Sequence, residues 1–247
     1  MKKVKVVVIG NSVGMRVRPP LESPKNLNYS QLLEQLISDL SPDSVGHVEN
    51  LSFHRFMVGD VLETIENYLT KLPHFFIINL GVVDASNREI PLWYANIIKN
   101  NKSLLGKVFS GFHERIIVPN RRLFVKLRGG KSWVKLQSFA ESYERLVQTL
   151  LKETNARVIA IGINQGGNRI EESLPGSMLK YGLYNEQIAS VTRRFGQHYI
   201  EVNDFLSQED FPDGIHYNAE GHQKVARRLF EEVKIQLHEC FGTHIDT

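Results

Sequence analysis

The sequence predicts an α/β fold with a mostly parallel sheet and helices on both faces. Three observations carry that prediction. Short β-branched apolar runs alternate with amphipathic segments from end to end. Those runs are nearly continuous in apolar residues, as strands covered on both faces require. The length, 247 residues, allows one large core and does not demand a second domain.

The elements follow in order. Val4 to Ile9 is a buried strand. Residues 14 to 28 read as loop, because Pro19, Pro20 and Pro24 oppose a helix. Leu32, Leu33, Leu36, Ile37 and Leu40 give helical spacing over Tyr29 to Leu40. Val45 to Phe53 suits a strand and turn. Asp60 suits the cap of a helix carrying Val61, Leu62, Ile65 and Leu69. Phe75 to Leu80 is a second short apolar strand, ending at Gly81. Glu89 to Leu105 suits a helix with Pro91 near its start. Leu123 to Val134 suits a hairpin around Gly129-Gly130. Phe139 to Thr154 is strongly amphipathic, Val158 to Ile163 is a strand, and Tyr184 to Phe195 a helix. His198 to Val202 is a short strand, and Ala219 to Leu237 is the closing helix. No fixed-period repeat occurs.

Composition excludes several classes. Hydrophobic residues at 42% and charged residues at 23% are ordinary globular values, which argues against disorder, collagen and coiled coil. The single cysteine, Cys240, rules out an intramolecular disulfide framework and reads as a tail residue. The apolar run at the N-terminus is too short for a signal peptide, and no stretch approaches a membrane span. A soluble, cytoplasmic protein is the expectation. The formal charge of +3 hides an asymmetry. Residues 99 to 135 hold ten Lys or Arg and one acid, Glu114, for +9, which leaves −6 on the rest. This basic stretch, about 95–135, reads as an insertion into the α/β alternation.

Three groups of residues suit chemistry. Ser12 follows the first strand in VVVIGNSVG, and sites in open α/β sheets lie beyond the carboxyl ends of strands. A serine there also suits a turn or cap. Asp213 and His216, spaced D-x-x-H ahead of the last helix, allow a carboxylate to hold one imidazole nitrogen while the other faces a nucleophile. The same residues suit a Pro-Asp-Gly turn beside a capping Asn218. Gly81 and Asp84 follow the middle strand, and Gly59 precedes a helix near the same sheet edge. Backbone N–H groups of Ser12 and Gly59 suit an oxyanion. Asn164, in GINQGGN, suits substrate binding or loop capping. Neither GxGxxG nor GxxxxGK[ST] occurs, so no nucleotide cofactor is expected, and no metal is assigned.

The ordered set GNSV, an isolated glycine, GVVD and DGIH, with the tail HYNAEGHQKVARRL, resembles the SGNH hydrolase superfamily, the GDSL-like esterases and lipases. The resemblance spans residues 4 to about 237. It implies a flavodoxin-like three-layer fold with Ser12 as nucleophile, His216 as general base and then acid, and Asp213 as its orienter. It implies an oxyanion hole from Ser12 and Gly59. The family's third donor is an asparagine side chain, and Asp84 stands at that position here. An ionised aspartate is acceptor-only; it donates only when protonated. Asn11 stands where the family's GDS block has aspartate.

The implied reaction is serine ester hydrolysis or deacetylation of an acylated carbohydrate or related metabolite. Alternatives are O-acyl transfer to a sugar hydroxyl and a non-catalytic carbohydrate-binding role. A role in polysaccharide biosynthesis fits an enzyme without an export signal. In the basic stretch, Arg115, Arg121, Arg122 and Arg128 are candidate contacts to an anionic substrate, with Phe109, Phe112, Phe124 and Trp133 as stacking faces. A solvated charge run over packed apolar residues is the other reading. No nucleic-acid module is present, so a small-molecule or glycan substrate is the expected partner.

Overall fold

The computed structural model describes residues 2–19, 25–40, 44–99 and 103–241. Pro20 and Pro24 lie outside the described residues, as does the side chain of Cys240. Five strands form one parallel sheet: β1 (Lys2–Gly10), β2 (Ser44–Ser52), β3 (Phe75–Asn79), β4 (Arg157–Ile161) and β5 (His198–Ile200). Their order is β2-β1-β3-β4-β5. The chain therefore reverses its winding between β1 and β3, and in such sheets sites form at this point, at the carboxyl ends of the strands. Every residue of β3 is buried, which explains its uninterrupted Phe75-Phe76-Ile77-Ile78 run.

The helices are α1 (Tyr29–Ser38), α2 (Val58–Glu63), α3 (Glu66–Leu69), α4 (Val82–Ala85), α5 (Leu92–Lys99), α6 (Leu104–Phe112), α7 (Arg121–Leu127), α8 (Leu136–Glu153), α9 (Asn168–Ser173), α10 (Ser177–Arg194) and α11 (Ala219–Phe241). α1 packs against α11 and β2, while α8 packs against α2, α10 and β4. This gives the expected three layers. Asn28 and Gln31 form a reciprocal capping box that starts α1. On α8, Phe139, Tyr143, Leu146, Val147 and Leu150 are buried, the stripe its helical spacing demands.

Four elements differ from the sequence expectation. Asp60 is not the cap of α2: Met57 is, and Asp60 sits in the first turn with Oδ2 accepting the Met57 N–H at 2.8 Å. The helix also breaks before Ile65, so α3 is separate. The helix expected over Glu89 to Leu105 is α5 alone; residues 100–102 lie outside the described residues, and Leu104 already belongs to α6. The hairpin around Gly129-Gly130 does not form. Leu123, Phe124 and Leu127 instead lie on α7, and the two glycines, at φ +65° and +61°, end it. Finally, α10 begins at Ser177 rather than near Tyr184, because Tyr181 is buried and Tyr184 donates to the Val134 carbonyl.

The basic stretch is helical and carries its own small core. Ile90, Tyr94, Ala95 and Ile117 cluster there, with Ile98, Phe109, Phe124 and Trp133 packed against them. α6 continues into a π-helical turn over His113–Ile117.

Candidate active site

Each strand end delivers one part of the site. Just past β1, Asn11 caps a one-turn 3-10 helix, Ser12–Gly14, by accepting the Val13 N–H at 3.1 Å. An asparagine oxygen serves this purpose as well as an aspartate oxygen, so the departure at residue 11 leaves the serine turn intact. Ser12 is half-buried just past the carboxyl end of β1.

Beyond β5, Phe211 to Gly214 form a tight turn closed by the Gly214 N–H on the Phe211 carbonyl at 2.9 Å. The turn presents Asp213. Its Oδ1 accepts the backbone N–H groups of Ile215 (3.0 Å) and His216 (2.8 Å), and its Oδ2 meets His216 Nδ1 at 2.7 Å. His216 Nε2 lies 2.9 Å from Ser12 Oγ. The turn and the proton-transfer geometry therefore coexist in the same residues. A proton on Nδ1 satisfies Asp213 and leaves the Nε2 lone pair to accept from the Ser12 hydroxyl. Burial pushes the Asp213 carboxyl up, but the contacts with His216 and the Ile215 N–H outweigh it and hold the pKa at about 2. Asp213 stays an acceptor at any working pH.

Asn164, beyond β4, braces this turn: its Nδ2 donates to the Ile215 carbonyl at 2.6 Å. It is buried and serves the loop rather than a substrate. His222, the second histidine of HYNAEGH, is also structural. It is fully buried, and its Nδ1 accepts the Tyr29 N–H at 3.1 Å, tying α11 to the start of α1. Burial pushes its pKa down to about 4.

Beyond β3, Gly81 takes φ +113°, a conformation that favours glycine, and turns the chain into α4. This brings Asp84, only 1% exposed, against the first turn of α2. Its Oδ1 accepts the Val58 N–H at 3.2 Å, and its Oδ2 is buried without a hydrogen-bond partner. Burial raises its pKa to about 7, against the pull of the Val58 N–H, its own N–H and Arg88. Asp60 pushes in the same direction as burial. The neighbouring Gly59 is exposed, and nothing stands within 4 Å of where its Cβ would be. As a first-turn residue, its N–H has no acceptor inside the helix.

The four arginines of the basic stretch divide. Arg128 donates to the carbonyls of Arg88 (2.6 Å) and Ile90 (2.7 Å), and Arg121 pairs with buried Glu89 at 3.2 Å. Both hold the insertion together and are not free substrate contacts. Arg115 and Arg122 are exposed. Among the stacking candidates, Trp133 donates to the Ile90 carbonyl and lies under Arg88 at 4.3 Å, and Phe109 packs edge-on against Tyr94.

Sequence reasoning missed His54 and Arg55, between β2 and Gly59. Burial lowers the His54 pKa, and the charges of Arg55, His216, Arg18 and Arg88 lower it further. Arg55 adopts φ +56°, rare for a residue with a side chain. Their position past the end of β2 was the available signal. Among the described residues, no group of three or more His, Cys, Asp or Glu side chains is arranged to hold a metal ion.

No protein-family model matches the sequence, and neither does any curated protein. Solved structures do match in fold. A lipase/acylhydrolase from Enterococcus faecalis superposes with TM-score 0.62 at 16% identity, over 94% of this chain and 96% of its own. The acetylxylan esterase Axe2 from Geobacillus stearothermophilus gives 0.61 at 16%, over 93% and 94%. The α/β hydrolase LAE5 from the Lake Arreo metagenome gives 0.61 at 15%, over 94% and 95%. The chain thus has, along nearly its whole length, the three-layer fold of these hydrolases, the fold implied by its SGNH-like motifs.

Proposed function

We propose that this protein is a serine ester hydrolase acting on an acylated carbohydrate or related metabolite. The observation that carries the reading is the continuous Ser12–His216–Asp213 hydrogen-bond chain. It favours a catalytic role over a purely binding one, since the hydroxyl and imidazole already stand within proton-transfer reach.

Ser12 Oγ attacks the ester carbonyl carbon while its proton passes to His216 Nε2. The carbonyl oxygen becomes an oxyanion, received by the N–H groups of Ser12 and Gly59. Asp84 stands where the family uses an amide; as a neutral acid it becomes the third donor once its buried, unpartnered Oδ2 turns towards the oxyanion. The tetrahedral species collapses, the C–O bond to the alcohol breaks, and His216 returns its proton to that alcohol. Water then attacks the Ser12 ester with His216 as base, releasing the carboxylic acid and restoring the serine. Asp213 holds the imidazole and stabilises its charged form throughout. Water is favoured over a sugar hydroxyl as acceptor because the fold neighbours are named as hydrolases and esterases. The acetylxylan esterase among them favours an acylated sugar.

The experiment is hydrolysis of p-nitrophenyl acetate and of acetylated oligosaccharides by the wild type and Ser12→Ala. The substitution is expected to reduce turnover to background. Unchanged turnover overturns the proposal.

A further inference from the structure

α6 carries two neighbouring apolar stripes, and only one of them is covered. Phe109, with His113 and Ile117 in the π-helical turn, faces inward: Tyr94 packs on Phe109 and donates to its carbonyl, and His113 and Ile117 are buried. The adjoining stripe carries Leu104, Val108 and Phe112, spaced four residues apart and 80%, 63% and 51% exposed. The apolar stripe of a helix in a globular domain normally faces its core. Here one stripe of large side chains stands in water, and such patches mark interaction sites.

The cations on this face narrow the partner. Lys107 and Arg115 are exposed and fall on the same helical face as Leu104 and Val108. α7 repeats the arrangement, with Leu123 and Leu127 exposed beside exposed Arg122 and Lys126. Glu114 is the only acid between residues 99 and 135. A second copy of the chain is a poor occupant. A two-fold contact would set each patch against itself and bring like charges together. A surface that is apolar inside and anionic at its rim complements both features at once.

We propose that the α6 face docks onto an anionic lipid surface. Leu104, Val108 and Phe112 enter the boundary between headgroups and acyl chains, and Lys107 and Arg115 meet the lipid phosphates. The attachment is peripheral: among the described residues, no helix is long and apolar enough to cross a membrane. The inference is independent of the esterase reading, since none of these contacts involves Ser12, Asp213 or His216.

The test is co-sedimentation of the full chain with phosphatidylglycerol–phosphatidylcholine vesicles and with pure phosphatidylcholine vesicles. Binding is expected to the first and not the second, and to weaken about tenfold between low and high salt. Leu104→Glu with Val108→Glu is expected to reduce binding at least tenfold, on the order of the lost apolar contact, with circular dichroism and soluble-ester hydrolysis unchanged. Leu104→Ser, at the most exposed of the three positions, gives a smaller loss and serves if the double variant misfolds. Absence of binding to the anionic vesicles overturns the proposal, as does equal binding to neutral ones. So does a wild-type dimer in sedimentation velocity that the double variant dissociates, which would assign the face to a second copy.

Discussion

Replacing Asp84 with asparagine tests whether a neutral carboxylic acid completes the oxyanion hole. The side chains are nearly isosteric, and an amide oxygen can keep the Val58 N–H while the amide nitrogen takes the place of the unpartnered oxygen. The Asp84 pKa lies near 7 rather than 3.8. Below about pH 7 the acid donates; above it the carboxylate repels the oxyanion. Loss of one such donor costs about 10²–10³ in kcat. Wild-type kcat should therefore fall about tenfold per pH unit above 7 until it reaches that floor, whereas Asp84→Asn should remain flat. The assay is p-nitrophenyl acetate hydrolysis from pH 5 to 9, corrected for background. Stability moves in the same sense. The raised folded pKa means the Asp84 contribution is complete below about pH 4 and is lost as pH rises towards 7. The gap is worth about 4 kcal/mol, so thermal unfolding should show the asparagine variant gaining on the wild type over that window. An alkaline limb that persists unchanged in Asp84→Asn refutes the neutral-acid role.

Further substitutions separate chemistry from bracing. Asp213→Asn keeps the shape of the turn but favours the wrong imidazole tautomer, so kcat should drop by about 10⁴ with little change in melting temperature. Arg128→Ala breaks two hydrogen bonds to carbonyls and should lower stability by about 1–3 kcal/mol while leaving KM for neutral and anionic esters in the same ratio. A selective rise in KM for anionic esters would return Arg128 to the substrate. Gly81→Ala places a Cβ 2.9 Å from Ile163 Cδ1 at φ +113°, and chemical denaturation should show a loss of about 1–3 kcal/mol.

The parts of the site that are close in sequence were the parts the sequence disclosed. Asp213 and His216 share one turn, so their spacing allows their contact, and Ser12 is placed by the end of a strongly apolar strand. Residues whose role depends on a distant partner were not legible. Asn164 reads as a substrate amide until the Ile215 carbonyl comes to it from 51 residues away. Arg121 and Arg128 read as a charge run, yet their partners, Glu89 and the carbonyls of Arg88 and Ile90, lie on another segment. Gly129-Gly130 suits a hairpin as well as a helix end, and only the packing of Val125 and Phe124 into the cores selects the helix. His54 and Arg55 belong to no pattern at all; they follow β2, and only the folded chain brings the charge of His216 to bear on His54.

The central claim is that Ser12 is a nucleophile activated by His216. Treatment with a fluorophosphonate, followed by peptide mapping, tests it without any choice of natural substrate. One covalent adduct on Ser12 is predicted, absent in Ser12→Ala and strongly slowed in His216→Ala. Failure of the folded protein to form that adduct, or labelling that His216→Ala does not slow, contradicts the account.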